Sequence, residues 1–382
     1  MTDRYCPLPW VAAHSWCGDV TPCCQWEDTG VIAKDASDAL HSDFFENIRQ
    51  SMLENKELKG CTQCYQQEAA GKGSRRLNAI KEYGRPTEVK LKSMDIGFDN
   101  VCNLKCRGCQ GAASHLWYDD EIKMYGESLH PTKYWTYLAS ADVDDLEYVH
   151  VAGGEPLLSK NFNNFAEILS SAKHIDTLKL SYDTNGTVLP KDNILNLIKK
   201  VGKLRVGVSI DGLGSLQDYF RSGSNFEEVL GTLDFYKHLQ SIRENKSTEL
   251  LIQVTVSVYN VNTLPDIYEY FEKYYPEYRI SHRVLYWPEQ LSIKNLPQDY
   301  KDMLKPLFEN KDQFKDILFE LNAEGKDLFD HFLNFHNKLD EIRKEDLKDS
   351  NNMLSTYIKN YKTKEVDSQV FFRQQLDYLR DI

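Results

Sequence analysis

Three cysteines lie close together in the stretch FDNVCNLKCRGCQG, residues 98–111. Cys102, Cys106 and Cys109 have the spacing Cys-x3-Cys-x2-Cys, and the sequence offers no fourth cysteine within reach. A tetrahedral structural zinc site needs four ligands, so zinc here would have to borrow a distant one. Three thiolates instead suit three irons of a [4Fe–4S] cluster and leave its fourth iron open to bind and activate a small molecule.

All nine cysteines of the chain lie in its first 109 residues. The N-terminus, MTDRYCPLPW, lacks the apolar core of a signal peptide, and no apolar run approaches the ~18 residues that span a bilayer. These features predict a cytoplasmic protein with no membrane segment. Cysteines in the cytoplasm serve metals or catalysis more often than disulfides.

The overall composition predicts a folded chain with a large core. Of its 382 residues, 41% are hydrophobic and 12% are aromatic, which suits one large domain with an appendage, or two domains. The net charge of -12 argues against general nucleic-acid binding, which requires a basic surface.

The elements that must position the cysteines are predicted from alternating β-rich and helix-like stretches. Six short runs read as strands: residues 91–98, 146–154, 177–186, 204–212, 250–260 and 280–287. A segment with helical spacing follows each of the first five strands, so the sheet should be parallel with right-handed crossovers. Six units are too few for a closed eight-stranded barrel and predict a partial (β/α)6 TIM-like barrel. Its active site should form at the C-terminal ends of the strands, where the cysteines and the motifs GGEP, TNG and SIDG fall.

The cysteine triplet and the following GGEP motif resemble the radical S-adenosylmethionine (radical SAM) family over roughly residues 91–290. The resemblance implies a SAM-binding [4Fe–4S] cluster whose open iron chelates the methionyl group of SAM. It also implies cleavage of SAM to a 5'-deoxyadenosyl radical that abstracts a substrate hydrogen. GGEP, which is Gly153, Gly154, Glu155 and Pro156, then meets the methionyl amine, with Glu155 supplying negative charge.

The resemblance extends to weaker motifs after the third and fourth strands. The residues that it assigns to the methionyl, ribose or carboxylate parts of SAM are Thr184, Asn185, Ser209, Asp211 and Arg221. TNG also fits an ordinary polar turn, and Arg221 also fits a surface arginine at a helix end. The family usually has an aromatic residue before the third cysteine, where this chain has Gly108.

The N-terminal cysteines carry a second resemblance. Cys6 and Cys23 followed by Cys61 and Cys64 in CTQC are similar to the ligands of the twitch domain, the shortened relative of the SPASM module. That resemblance implies an auxiliary [4Fe–4S] cluster, although in familiar twitch enzymes the module follows the barrel instead of preceding it. A four-cysteine zinc site is the alternative.

Two cysteines, Cys17 and Cys24, remain unassigned in this scheme. Cys24 adjoins Cys23 and would be able to replace it as a ligand, and Cys17 would be able to serve as an alternate ligand. Either one is also a candidate hydrogen-atom donor if the reaction is an epimerisation.

The predicted layout has three parts. Residues 1–90 form a small cysteine-rich auxiliary-cluster domain, residues 91–295 the radical SAM core, and residues 296–382 a charged helical extension. Apolar residues recur every three or four positions in the extension, so one of its faces should pack on the barrel. It is also a candidate cap for the active-site mouth, or a partner-binding element.

Two further sets of polar residues stand out. Lys72, Arg75 and Arg76 are candidates for guiding an acidic substrate or offsetting the charge of a thiolate-ligated cluster, and a solvated helix end is the alternative. The ten histidines show no ligand spacing and are interpreted as structural or surface residues.

The predicted function is radical SAM oxidation of a peptide or small molecule, with the auxiliary cluster as electron sink and a reductase such as flavodoxin or ferredoxin as electron donor. A redox-neutral radical SAM epimerase is one alternative. The other is a non-catalytic iron–sulfur or zinc protein of electron transfer or assembly, which would have no use for GGEP beside an open-iron triplet.

Overall fold

The computed structural model describes residues 3–16, 19–33, 35–69, 71, 73–128, 143–243, 246–364, 366 and 370–371. Its described strands are β1 (Ala12–Trp16), β2 (Asp19–Thr21), β3 (Ser93–Gly97), β4 (Tyr148–Ala152), β5 (Lys179–Thr184), β6 (Lys203–Ser209), β7 (Ser247–Val256) and β8 (Arg279–Val284). They form one sheet in the order β2-β1-β3-β4-β5-β6-β7-β8. Every neighbouring pair is parallel except β1 and β2. The six predicted strands are therefore confirmed as β3 to β8, and the α/β class with them.

The N-terminal segment contributes two strands that the sequence analysis did not predict. β1 pairs with β3 in parallel, with Ala12 opposite Ser93, and β2 turns back antiparallel to β1. Residues 1–90, the segment predicted to hold the auxiliary cluster, thus add two strands to the sheet that β3 to β8 form. The cysteines of this segment are consequently anchored to the edge of the core.

Helices connect the strands and cover the outer face of the sheet. The described α-helices are α1 (Leu8–Val11), α2 (Ala36–Leu40), α3 (Asp43–Leu53), α4 (Thr62–Ala69), α5 (Arg75–Tyr83), α6 (Tyr118–Tyr125), α7 (Lys160–Leu169), α8 (Asp192–Lys200), α9 (Ser215–Phe220), α10 (Phe226–Ile242), α11 (Leu264–Tyr274), α12 (Gln298–Leu304), α13 (Lys315–Asn322), α14 (Phe329–Arg343) and α15 (Asn352–Asn360). Among the described residues, no helix combines the length and the apolar character needed to cross a membrane.

Helix α7 shows how the outer layer forms. Ser159 accepts a hydrogen bond from the backbone N–H of Phe162 and so caps the start of the helix. Phe162, Phe165 and Leu169 recur at helical spacing and are fully buried. They pack in the main core together with alternate strand residues such as Val149, so the residues between those positions point to the opposite face of the sheet.

The predicted helical C-terminal region is confirmed in its described part, which contains α12 to α15. Phe332 and Leu339 of α14 are buried in the main core. One face of α14 therefore packs in the main core, as the spacing of its apolar residues predicts.

Candidate functional site

The GGEP loop packs directly on the cysteine loop. The backbone N–H of Gly154 donates to Asp99 O at 3.0 Å, and that of Glu155 donates to Val101 O at 2.7 Å. A Cβ on Gly154 would lie 2.3 Å from Val101 O, and one on Gly153, whose φ is +128°, would lie 2.7 Å from Asp99 O. Only glycine fits at these two positions, because any side chain would separate the loops.

Glu155 ties the GGEP loop to the end of β5. Its carboxylate accepts hydrogen bonds from Thr184 Oγ1 at 2.9 Å and from the backbone N–H of Asn185 at 2.7 Å. The side chain is 1% exposed, and burial raises its pKa to about 7 despite these hydrogen bonds. A cationic ligand group placed beside Glu155 would restore the ionised form.

The sulfur atoms of the triplet face polar groups from neighbouring loops. Cys102 Sγ lies 3.4 Å from the backbone N of Leu104 and 3.9 Å from Asn185 Nδ2. Cys106 Sγ lies 3.8 Å from the Arg221 guanidinium. Burial raises the pKa of Cys106 to about 11, and the charge of Arg221 opposes part of that rise. A buried thiol ionises only when a nearby positive charge replaces the water that it has lost. The irons of an iron–sulfur cluster would supply that charge, so these cysteines would bind it as thiolates.

Arg221 and Asp211 form a buried ion pair beside the triplet. Arg221 follows α9, and its Nη2 lies 2.7 Å from Asp211 Oδ2. Asp211 Oδ1 also accepts from the backbone N–H of Thr255 at 2.6 Å, which joins the ends of β6 and β7. The surface-arginine interpretation of Arg221 is therefore wrong. Ser209 ends β6 two residues before Asp211, so the structure gathers all of the predicted SAM-site residues at one edge of the sheet.

The space beside Gly108 is filled by an aromatic ring from another element. A Cβ on Gly108 would lie 3.2 Å from Cζ of Phe220 and 3.6 Å from Leu285. Phe220, the last residue of α9, is 2% exposed. The Phe220 ring of α9 thus occupies the space beside position 108, where an aromatic side chain was expected.

Arg107, inside the triplet motif, was missed by the sequence analysis. It is fully buried, and its Nη2 lies 2.5 Å from both Asp340 Oδ1 and Glu345 Oε2. Its guanidinium stacks 3.7 Å from the ring centre of Tyr219, whose hydroxyl donates to Asp340 at 2.8 Å. The cysteine loop is therefore held by α9 on one side and by the C-terminal helical region on the other.

Arg343, at the end of α14, makes a second connection to the cysteine loop. It donates to Lys105 O at 2.7 Å and to Ser222 Oγ at 2.9 Å, and its Nε lies 2.9 Å from Asp120 Oδ2. The described C-terminal helices thus hold the cysteine loop in place as well as packing in the main core. No local pattern in the sequence signals this, because Lys105 and Asp120 lie more than 200 residues from Arg343, and Ser222 lies more than 100 residues from it.

Cys6, Cys23, Cys61 and Cys64, here called the N-terminal quartet, are brought together by α1, the loop after β2 and the start of α4. Burial raises the pKa of Cys6 to about 12, and the nearby Cys61 and Cys64 raise it further. Burial likewise raises the pKa of Cys23, with contributions from Cys6 and Cys61. Three members of the quartet, Cys6, Cys23 and Cys61, lie in a small apolar cluster of their own, separate from the main core.

Cys24 lies outside the apolar cluster that contains Cys6, Cys23 and Cys61. Its thiol is exposed, yet surrounding protein raises its pKa, and the charged groups that act on it are Asp95, Arg75 and Arg283. Asp95 and Arg283 belong to barrel strands β3 and β8. The geometry therefore favours Cys23 over Cys24 as a quartet member, while Cys17 lies outside the described residues.

Arg76 is buried, pairs with Glu68, and donates to the backbone oxygens of Asp3 and Tyr5 at 2.9 Å each. The solvated-helix-end interpretation is therefore wrong for Arg76, which ties the N-terminus to α4. Lys72 lies outside the described residues.

Within the ranges that the structure describes, no group of three or more His, Cys, Asp or Glu side chains is placed to hold a single metal ion. A cubane cluster has a different requirement, because each of its irons takes its own thiolate and the sulfurs need not meet at one point. Both cysteine groups fit that requirement in donor type and burial.

Residues 97–271 match the Radical SAM superfamily. GTP 3',8-cyclase of Alkaliphilus oremlandii is 27% identical over 157 residues, which are 41% of this chain and 43% of the relative. Fe-coproporphyrin III synthase of Methanosarcina barkeri is 26% identical over 178 residues, 45% of this chain and 39% of the relative. The chain thus spans about two-fifths of the length of these curated relatives.

The chain also has weaker likenesses to two solved structures, anSMEcpe with bound AdoMet and Streptococcus suis SuiB bound to the precursor peptide SuiA. The first has a TM-score of 0.41 and 19% identity and covers 59% of this chain and 62% of that one. The second has a TM-score of 0.34 and 15% identity and covers 78% of this chain and 64% of that one. The segment that matches the superfamily, residues 97–271, includes the cysteine triplet and the GGEP loop.

Proposed function

We propose that the protein is a radical SAM enzyme that reductively cleaves S-adenosylmethionine and abstracts a hydrogen atom from a polar substrate. The observation that carries the proposal is the convergence of the triplet, Glu155 and Arg221 at one edge of the sheet. A pure electron carrier needs the cysteines but has no use for a buried carboxylate joined to them through Asn185.

Each residue of this site has a distinct proposed role. Cys102, Cys106 and Cys109 would hold a [4Fe–4S] cluster, which supplies the electron for cleavage of the sulfonium. Glu155 would accept a hydrogen bond from the methionyl ammonium, since its oxygens have lone pairs beyond those used by Thr184 and Asn185. Arg221 would offset the negative charge of the thiolates and of a bound carboxylate.

Oxidation of a peptide or small molecule is the proposed outcome. The N-terminal quartet would hold a fully ligated auxiliary [4Fe–4S] cluster, which supplies an electron sink once the substrate radical loses a proton. A reductase such as flavodoxin or ferredoxin would provide the initiating electron. The activities named for the two curated relatives differ from each other, so neither is carried over as the substrate of this chain.

The experiment is to incubate the anaerobically reconstituted protein with SAM and dithionite and measure 5'-deoxyadenosine by mass spectrometry. We expect 5'-deoxyadenosine and methionine in equal amounts from the wild type and neither from Cys106→Ala. Intact clusters without either product would refute the enzyme proposal and favour an electron-transfer protein.

A redox-neutral epimerase is the second candidate, favoured by the exposed thiol of Cys24 on the barrel side. In that reaction the thiol would donate a hydrogen atom to the substrate radical, and the thiyl radical would then take up one electron and one proton from the reductant and solvent. Loss of the epimerised product in Cys24→Ala with SAM cleavage retained would support it, whereas an unchanged product would refute it.

A further inference from the structure

The turn after β5 meets the cysteine loop at Asn185. Asn185 Nδ2 lies 2.9 Å from Asn103 Oδ1 and 3.9 Å from Cys102 Sγ. Asn185 and Cys102 are 7% and 9% exposed, so both partners of the sulfur contact are buried. The TNG motif therefore reaches a sulfur atom of the triplet as well as the carboxylate of Glu155.

The local sequence explains how the turn is made. Gly186 has a φ of +76°, a conformation that favours glycine, and a Cβ there would lie 2.8 Å from Cγ1 of Val208. After this turn, Asn185 Oδ1 accepts hydrogen bonds from the backbone N–H of Thr187 at 2.9 Å and from Thr187 Oγ1 at 2.7 Å. The Asn185 side chain is thus held in place by its own turn.

A ring of hydrogen bonds fixes which end of the Asn185 amide faces the sulfur. Asn103 Nδ2 donates to Thr187 Oγ1 at 2.8 Å, Thr187 Oγ1 donates to Asn185 Oδ1, and Asn185 Nδ2 donates to Asn103 Oδ1. Rotating the Asn185 amide by half a turn would set its oxygen against Asn103 Oδ1 and its NH2 group against the Thr187 N–H. Because both of these contacts would be repulsive, the NH2 group is the end that faces Cys102.

The hydrogen-bonding groups of the Asn185 side chain are all used in this arrangement. Its oxygen accepts two hydrogen bonds, both from Thr187. Its NH2 group has two hydrogens, of which one is directed to Asn103 and the other to Cys102. The side chain therefore has no group left to contact the methionyl or ribose part of SAM.

The sulfur atoms of the triplet lie close to N–H donors. Cys102 Sγ lies 3.4 Å from the backbone N of Leu104 in addition to the Asn185 contact, and Cys106 Sγ lies 3.8 Å from the Arg221 guanidinium. Hydrogen bonds to a charged acceptor are shorter and stronger than those to a neutral one, so a thiolate at Cys102 would strengthen the Asn185 contact. Reduction of a cluster adds negative charge, and hydrogen bonds to its sulfurs help to set its potential.

We propose that the Asn185 side chain donates a hydrogen bond to the Cys102 thiolate and raises the reduction potential of the cluster held by the triplet, instead of contacting SAM. The step concerned is the uptake of one electron by the cluster from its reductant, and no covalent bond forms or breaks in it. The assignment rests on the proposed function, because it takes the triplet to hold the [4Fe–4S] cluster.

The test is a redox titration of the reconstituted full-length protein with dithionite, followed by EPR in the absence of SAM. The EPR signal that is missing from Cys106→Ala identifies the triplet cluster. In Asn185→Ala, we expect the equilibrium constant for reduction to fall about threefold to tenfold, as loss of one hydrogen bond implies. At about 59 mV per tenfold change, the potential would become roughly 30–60 mV more negative.

A second variant, Asn185→Asp, keeps the shape of the side chain but replaces its NH2 group by an oxygen. The added negative charge would repel the thiolate, so we expect a potential at least as negative as that of Asn185→Ala. Asn262→Ala is the matched control, since Asn262 also forms an amide–amide pair, with Asn351 at 2.7 and 3.1 Å. A wild-type potential in either Asn185 variant, or an equal fall in Asn262→Ala, would overturn the proposal.

SAM binding distinguishes a sulfur partner from a SAM ligand. Equilibrium dialysis with labelled SAM should give Asn185→Ala a dissociation constant close to that of the wild type, because the backbone N–H of residue 185 still donates to Glu155. A dissociation constant about tenfold higher or more, as loss of a direct contact implies, would overturn the proposal and return the Asn185 side chain to the SAM site.

The failures of the two proposals are distinguishable. Wild-type protein that forms 5'-deoxyadenosine while both Asn185 variants keep the wild-type potential would retain the proposed function and remove the Cys102 contact. A triplet cluster whose potential falls in both variants, in a protein that forms no 5'-deoxyadenosine, would instead remove the proposed function and retain the contact.

Discussion

The two cysteine groups of this protein are built in opposite ways. The triplet lies on one loop of eight residues from Cys102 to Cys109, and polar side chains from three other loops and helices surround it. The quartet is drawn from three separate segments between Cys6 and Cys64, and its members Cys6, Cys23 and Cys61 lie in a small apolar cluster. A group with three ligands needs polar neighbours to hold a ligand at its open position, whereas a group with four is complete and packs like a core.

The contacts that hold the two cysteine groups in place also differ. Arg107 and Arg343 join the cysteine loop to α14, whose residues lie more than 200 positions further along the chain. The quartet is joined locally, by Arg76 to Glu68 and by β1 to the edge of the sheet. The triplet thus depends on the whole domain, and the quartet depends on the first 90 residues and β3.

The largest expected effect separates the groups by iron content. The triple variant Cys102/Cys106/Cys109→Ala should lose all SAM cleavage and keep about four irons of roughly eight, as two cubane clusters require. Cys61/Cys64→Ala should lose the other four irons. Iron per chain is measured by colorimetric assay after anaerobic reconstitution. A triple variant that retains zinc, or no metal at all, would remove the quartet assignment.

Arg107→Gln should have the next largest effect, because it leaves Asp340 and Glu345 without their buried cation. Breaking a buried ion pair from one side costs about 3–5 kcal/mol of unfolding free energy, measured by urea denaturation. Arg85→Gln is the matched control. Its pair with Asp3 is more than half exposed on both sides, so its loss should cost about 0–1 kcal/mol. Equal losses in the two variants would show that the C-terminal helices do not hold the cysteine loop.

Glu155→Gln should weaken SAM binding. The expected change in binding free energy is smaller than the loss of unfolding free energy expected for Arg107→Gln. A buried hydrogen bond to a charged group contributes about 1.5–3 kcal/mol, which corresponds to a roughly tenfold to hundredfold rise in the dissociation constant. Binding is measured by equilibrium dialysis with labelled SAM on reconstituted protein. Glu147→Gln, an exposed position just before β4 that pairs with Lys92, is the control. The same dissociation constant in wild type and Glu155→Gln would place Glu155 outside the SAM site.

The sequence predicted the parts of this molecule whose signals are local. β-branched residues recur in β4, β6, β7 and β8, and the cysteine, GGEP and TNG motifs come at or just after the ends of β3, β4 and β5. The strands β1 and β2 have only five and three residues, too few for a periodic pattern to stand out. Arg107 was missed because its partners are distant in sequence, and nothing in the sequence distinguishes Arg76, which pairs with Glu68, from its neighbour Arg75.

The smallest expected effect distinguishes Cys23 from Cys24. Cys23→Ala removes a thiol that lies with Cys6 and Cys61, so it should lower the iron content by up to four per chain. Cys24→Ala removes a thiol that faces Asp95 and Arg283 instead, so the iron content should stay at the wild-type value. The two variants are matched controls for each other, since they alter adjacent residues by the same substitution. Iron loss in Cys24→Ala with full iron in Cys23→Ala would make Cys24, and not Cys23, the member of the quartet.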